Sequence, residues 1–190
     1  YPYNPHLPTF CSIDFGYRMC AVGWFQTYRV NGQWHINMID EIIHQTNIKT
    51  DELAKMIKSK RYQTIKYYGD PAGLQAQGQS GVGDIEIFRK YGIIVHTITD
   101  KPSRSITAGV NHVRSFIENA NGDRYLHLNN NCMGMAEDLE GYRYPEAQDG
   151  KPLKQEPIKD GYHDHSCDML RYFFINHFPM KNKQIKVRKR

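Results

Sequence analysis

Near its C-terminal end the chain reads Asp164-His165-Ser166-Cys167-Asp168-Met169-Leu170-Arg171-Tyr172. On a helix, Asp164 and Asp168 would stand one turn apart on one face, His165 and Asp168 would pair at i, i+3, and Leu170, Phe173 and Phe174 would point elsewhere. Grouped carboxylates repel one another unless something positive neutralises them. A divalent cation is one such neutraliser, and hard ions such as Mg2+ prefer carboxylate oxygens. The same residues also suit a solvated helix start, where the dipole favours Asp. Two further acids share a suggestive setting. Asp14 closes the apolar segment Phe10-Cys11-Ser12-Ile13 just before Gly16, and Asp70 follows Ile65-Lys66-Tyr67-Tyr68-Gly69 just before Pro71-Ala72-Gly73. Sites in open α/β sheets form beyond strand ends, so Asp14 and Asp70 are expected side by side, held by a rigid sheet that needs no reordering.

The elements that must hold these residues follow from periodicity and turn chemistry. Residues 10–15 and 20–30 read as strands joined at Gly16-Tyr17-Arg18, and Asn31-Gly32 marks a hairpin into a third strand over 33–39. Thr50 with Asp51 and Glu52 opens a helix striped by Leu53, Met56 and Ile57 that should end near residues 59–61. A strand over 65–69 comes next, then a Gly-, Gln- and Ser-rich stretch over 75–83 that lacks periodicity and reads as a mobile loop. Beyond it a helix is expected over 84–91, a strand over 93–98, a helix over 103–120, a strand over 125–128 and a helix over 132–140. A hairpin built from 142–146 and 153–158 around Asp149-Gly150, and a last helix over 164–178, complete the reading. Strands first and helices alternating with strands afterwards predict an α/β mixed sheet flanked by helices.

With 190 residues, 39% hydrophobic and 12% aromatic, the chain has the makings of one globular domain with a real core. No apolar run approaches the roughly 20 residues that span a bilayer, and no secretory pattern is present. The four cysteines (Cys11, Cys20, Cys132, Cys167) form no CxxC pair, so scattered reduced thiols of an intracellular protein are expected rather than a zinc site. Six of the 25 basic residues (Lys181, Lys183, Lys186, Arg188, Lys189, Arg190) crowd the last ten positions, leaving 19 basic against 20 acidic residues elsewhere. The net charge of +5 is therefore a property of a tail suited to nucleic-acid phosphates or to solubility, on a nearly neutral body. No GxxxxGK[ST] occurs, so the chain has no P-loop. It opens at Tyr1 without a Met, as a part of a longer polypeptide would.

Taken in order, Ser12-Ile13-Asp14-Phe15-Gly16-Tyr17, Tyr68-Gly69-Asp70-Pro71-Ala72-Gly73 and Asp164-His165-Ser166-Cys167-Asp168-Met169-Leu170-Arg171-Tyr172 resemble the motifs of a known nuclease family. This is the nuclease domain of the large terminase subunit of tailed double-stranded DNA phages, in the RNase H-like (retroviral integrase-like) superfamily, and the resemblance spans about residues 10–178. It implies an RNase H-like mixed central sheet, three antiparallel strands then parallel ones, flanked by helices and carrying a late β-hairpin insertion. Residues 1–180 would be the nuclease domain, 181–190 a flexible basic tail, and an ATPase motor would lie N-terminal to the fragment. The implied activity is metal-dependent endonucleolytic cutting of concatemeric viral double-stranded DNA during packaging.

The resemblance also implies the parts of the site. Two Mg2+ or Mn2+ ions about 3.5–4 Å apart would be bridged by Asp14 and further held by Asp70 and Asp168. Many family members carry two adjacent acids where this chain has Asp164-His165, which puts Asp168 forward as ligand, with His165 beside it and Asp164 behind it or as an alternate ligand. Lys101, Arg104, Lys151, Lys154 and Lys159 are candidate phosphate contacts, and the loop 75–83 and hairpin 142–158 candidate gates. Implied partners are double-stranded DNA, the portal protein, the small terminase subunit and the ATPase domain, in the host cytoplasm with transient docking on the procapsid and no membrane. A Holliday-junction resolvase or transposase of the same superfamily is the alternative enzyme, and a noncatalytic DNA- or portal-docking module the alternative from another class.

Overall fold

In the structure, a computed structural model, residues 2–16, 18–75, 83–100, 104–146 and 156–180 are described. Three antiparallel strands open the fold: β1 (Thr9–Asp14), β2 (Met19–Val30) and β3 (Gln33–Thr46). Asn31 and Gly32 at the β2–β3 turn both take positive φ (50° and 82°), the twist-matched geometry of a two-residue hairpin. At the β1–β2 turn, a Cβ on Gly16 would collide with the Met19 carbonyl oxygen, which explains a glycine there. The third strand runs past the expected 39 because Ile39 and Ile42 continue the buried pattern; it then bulges where His44 adopts φ +59°.

Helix α1 (Thr50–Ser59) leads to β4 (Thr64–Gly69), then a 3-10 turn (Pro71–Leu74) and α2 (Asp84–Lys90). Strand β5 is only Val95–His96, shorter than the expected 93–98, because the Ile93 N–H turns back to the Phe88 carbonyl and closes α2 instead of joining a ladder. Helix α3 is Ile106–Ile117 rather than 103–120. The Ser105 hydroxyl caps it by accepting the Ala108 N–H, and the turn through Gly122 (φ +81°) takes over from Asn119. Strand β6 (Leu126–Leu128), α4 (Met133–Gly141) and α5 (His163–His177) follow. The hairpin expected over 142–158 has no strand among its described residues; one backbone bond, Ile158 N–H to Arg143 O at 2.9 Å, joins its flanks, and 147–155 lie outside the described residues.

The strands form one mixed sheet in the order β5-β4-β1-β2-β3-β6. Strands β1–β2 and β2–β3 pair antiparallel, and β1–β4, β4–β5 and β3–β6 parallel. Each face buries its own core. Trp24, Ile39, Leu53, Ile57 and Phe88 fill the α1–α2 side, while Phe25, Met38, Met169, Leu170, Phe173 and Phe174 fill the α5 side. Phe173 stacks on Phe25 with ring centroids 4.1 Å apart. Among the described residues no helix is long and apolar enough to cross a membrane.

Two polar ties set the height and rotation of α5 on the sheet. The buried Ser12 hydroxyl of β1 donates to the Met169 carbonyl at 2.8 Å. Asp138 of α4, fully buried, accepts from His44 Nε2 of β3 at 2.9 Å and from the Ser166 hydroxyl of α5, stapling the first turn of α5 to both neighbours. The Met169 carbonyl lies inside α5, so removing the Ser12 hydroxyl loses one buried hydrogen bond, worth about 0.5–1.5 kcal/mol net. Ser12→Ala is therefore expected to lower unfolding free energy by about 1 kcal/mol in urea titrations, with the slope unchanged.

Candidate active site: carboxylates at the ends of β1 and β4

The parallel pairing of β1 with β4 matches Ser12 to Tyr68 and Ile13 to Gly69, so Asp14 and Asp70 leave the sheet as neighbours at the C-terminal ends of adjacent strands. Asp70 has two further duties. Its Oδ1 accepts the Ala72 N–H at 3.0 Å and starts the 3-10 turn, and its Oδ2 accepts the Tyr172 hydroxyl at 2.8 Å. Helix α5 packs across these strands with its apolar residues and turns His165, Asp168 and Tyr172 toward the strand ends, at the i, i+3, i+7 spacing of one helical face. His165 Nδ1 lies 2.8 Å from Asp14 Oδ2.

Burial lifts the Asp14 carboxyl most; the His165 hydrogen bond opposes this, and the nearby charges of Asp168 and Asp70 add to it, leaving the group at about 6. His165 is held above its ordinary value, chiefly by its hydrogen bond to Asp14. Burial, then the carboxylates of Asp168, Asp14 and Asp70, push the Tyr172 hydroxyl far up, so it stays a donor in the midst of all three acids. Asp168 is fully ion-paired. Its Oδ1 accepts from Arg171 Nε at 3.0 Å and Nη2 at 2.9 Å, and Lys159 Nζ lies 3.0 Å from its Oδ2. Arg171 is itself buried, its guanidinium 4.6 Å from the Tyr172 ring centroid.

The structure thus brings Asp14, Asp70, His165 and Asp168 together and turns Asp164 aside, where its Oδ1 accepts the Gly161 N–H at 2.6 Å and closes the start of α5. Of the expected phosphate contacts, Arg104 Nη2 lies 3.7 Å from Asp70 Oδ1 and Lys159 sits on Asp168, while Lys101, Lys151 and Lys154 lie outside the described residues. So does most of the loop 75–83. Arg171 and Tyr172 carry no role in the sequence reading. The signal was present: an Arg in the apolar run Met169–Phe174, three residues after an Asp, has to find a carboxylate when buried. Tyr172 stands seven residues after His165 on the same face.

The donor chemistry fits hard divalent cations: carboxylate oxygens with one imidazole, and an Asp14 whose charge is opposed by its own neighbours. The fit is incomplete at Asp168, whose oxygens face Arg171 and Lys159. Accordingly, among the described residues no three His, Cys, Asp or Glu side chains converge on one ion position.

The fold is an RNase H-like α/β fold, a mixed sheet covered by helices on both faces, shared with solved nuclease domains of phage large terminases. The nuclease domain of the P22 large terminase superimposes with a TM-score of 0.68 at 14% identity, over 93% of this chain and 84% of that one. The g2p (large terminase) nuclease domain of bacteriophage SPP1, solved with bound Mn, gives 0.65 at 16% identity over 90% and 86%. The large terminase nuclease of the thermophilic phage G20c, solved with bound cobalt, gives 0.58 at 16% identity over 90% and 82%. No protein-family model matches the chain, and no curated protein matches it in sequence. The likeness to the solved domains is one of fold.

The pKa shifts have a stability consequence. Asp14 rises from 3.8 to about 6 on folding, so through that window the folded protein binds more protons than the unfolded chain, and stability falls as pH rises. His165, also raised, contributes stability that is complete below its unfolded value of 6.5 and is lost as pH rises through its folded value. The two run in the same direction. In EDTA the thermal midpoint should fall as pH rises from 3.8 through about 6 and again above 6.5, Asp14→Asn should flatten that fall, and Mn2+ should raise the midpoint more at the higher pH.

Proposed function

We propose that this chain is a metal-dependent endonuclease domain of the large terminase type, cutting concatemeric viral double-stranded DNA during genome packaging. The observation that carries the reading is the placement of Asp14 and Asp70 at adjacent strand ends, with His165 and Asp168 delivered by α5, on a fold shared with terminase nuclease domains. Asp14 and Asp70 would hold two divalent cations, Mg2+ or Mn2+, with Asp168 completing the set. Bound there, such ions supply an activated water and stabilise the departing 3′ oxygen of a phosphodiester.

The chain's own residues have separable tasks. His165, with Nδ1 on Asp14, fixes that carboxylate and keeps Nε2 for moving a proton. Tyr172 orients Asp70 through its hydroxyl, and Arg171 anchors one oxygen of Asp168. Arg104, beside Asp70 and partly exposed, suits a backbone phosphate of the substrate. An ATPase motor on the same polypeptide, the portal and the small terminase subunit are the expected partners, in the host cytoplasm and transiently on the procapsid. The present chain, lacking a P-loop, would cut DNA without pumping it.

Purified protein should nick and linearise plasmid with Mn2+ or Mg2+, and EDTA, Asp14→Asn or Asp70→Asn should each abolish cutting. Cleavage that persists in EDTA, or in both variants, sinks the reading, and strong preference for a four-way junction over plasmid moves it to the resolvase class. Tyr172→Phe, which keeps the ring and removes the donor to Asp70, should slow saturating cleavage about tenfold while leaving the thermal midpoint nearly unchanged.

A further inference from the structure

Both oxygens of Asp168 already face cations, but the two cations differ in kind. Arg171 is built in: its stem lies against Gly109 of α3, where a Cβ would meet Arg171 Cδ and Cγ at 2.8 Å, and its guanidinium grips Oδ1 twice. Lys159 reaches Oδ2 from the segment before α5, with its side chain 55% exposed against 6% for that of Asp168. It therefore meets Asp168 on the solvent side of the cluster and gives up little packing if it swings outward. The ammonium sits 3.0 Å from Oδ2, and a lysine is charged in ordinary buffers, so Lys159 leaves Asp168 by displacement.

We propose that Lys159 is an internal counter-cation: it fills the place at Asp168 Oδ2 that a divalent cation would take, and it yields that place when the phosphates of a nucleic-acid backbone draw it outward. The inference rests on the nuclease reading above and adds to it an order of events. Oδ2 faces an ammonium at 3.0 Å, so an arriving cation must compete with Lys159. A duplex that takes up Lys159 relieves this competition, and by reciprocity a bound cation frees Lys159 for the duplex. Cation and DNA then favour each other, and the site is weakly loaded until substrate is present. Arg171 has no such freedom and keeps Oδ1 throughout, so Asp168 would offer a single oxygen.

The test is Mn2+ binding without DNA, read by calorimetry or electron paramagnetic resonance, on wild type, Lys159→Gln and Lys159→Arg, with thermal midpoints as folding controls. Lys159→Gln should bind Mn2+ about fivefold more tightly than wild type, and Lys159→Arg about as wild type does. Adding a short duplex should tighten Mn2+ binding more in wild type than in Lys159→Gln, where only the phosphate oxygens shared with the cations couple the two; equal tightening in both overturns the proposal. Equal or weaker Mn2+ binding by Lys159→Gln overturns the proposal; if that variant also needs more DNA for half-maximal cleavage, Lys159 is a phosphate contact alone and the nuclease reading stands. If neither wild type nor Lys159→Gln binds Mn2+, with or without duplex, the metal site falls and the counter-cation with it.

Discussion

Three carboxylates at one end of one sheet repel one another, and much of the local structure exists to tolerate that repulsion. Each acid has its own arrangement. Asp14, buried at the end of β1, keeps a raised pKa and leans on His165. Asp70 draws on a backbone N–H of its own turn and on the Tyr172 hydroxyl. Asp168 carries a full ion pair with Arg171 and Lys159. The acids hold different partners but feel one another's charge, since Asp168 and Asp70 both raise Asp14, so a cation gained or lost at one member is felt by the others. A structural ion-pair network would match every acid with a permanent cation; here Asp14 has only the titratable His165 and keeps a raised pKa, which is the condition a metal or proton relieves.

The helix that supplies the relief is also the helix that fills the core. Met169, Leu170, Phe173 and Phe174 of α5 pack against β1, β2 and β4, and Phe173 stacks on Phe25. The apolar face fixes rotation about the helix axis, and rotation decides whether His165, Asp168 and Tyr172 reach the strand ends. The Ser12–Met169 bond and the Asp138 staple fix translation along the axis. Stability and site geometry are therefore set by the same contacts, and a core substitution on α5 would disturb both.

Much of this was legible in the sequence. Asn31-Gly32, the alternating strands, the helical stripes and the three acidic motifs in order led to the mixed sheet and to strand-end placement of Asp14 and Asp70, because these depend on local turn chemistry and on period-2 or period-3.6 burial. Boundaries were less legible where a tertiary bond decided them, as where Ile93 turns back to Phe88 or where Ser105 rather than residue 103 starts α3. The proposed hairpin over 142–158 rested on composition at its tip, and its described flanks are joined by a single backbone bond.

By itself, then, the sequence determined which side chains are present, which of them share a helix face or a strand end, and the order in which the fold receives them. Only the tertiary structure decided their charge states and partners. Asp164 and Asp168 stand one turn apart on α5, and the family resemblance favoured Asp168 as the ligand without saying what either acid would touch. The chain path before the helix brings the Gly161 N–H to one and Lys159 to the other, while the narrow crossing at Gly109 brings Arg171 to the second alone. Pairing across a fold depends on where distant segments pass. That is why Arg171 and Lys159, the cations that hold Asp168, could be read only from the assembled protein.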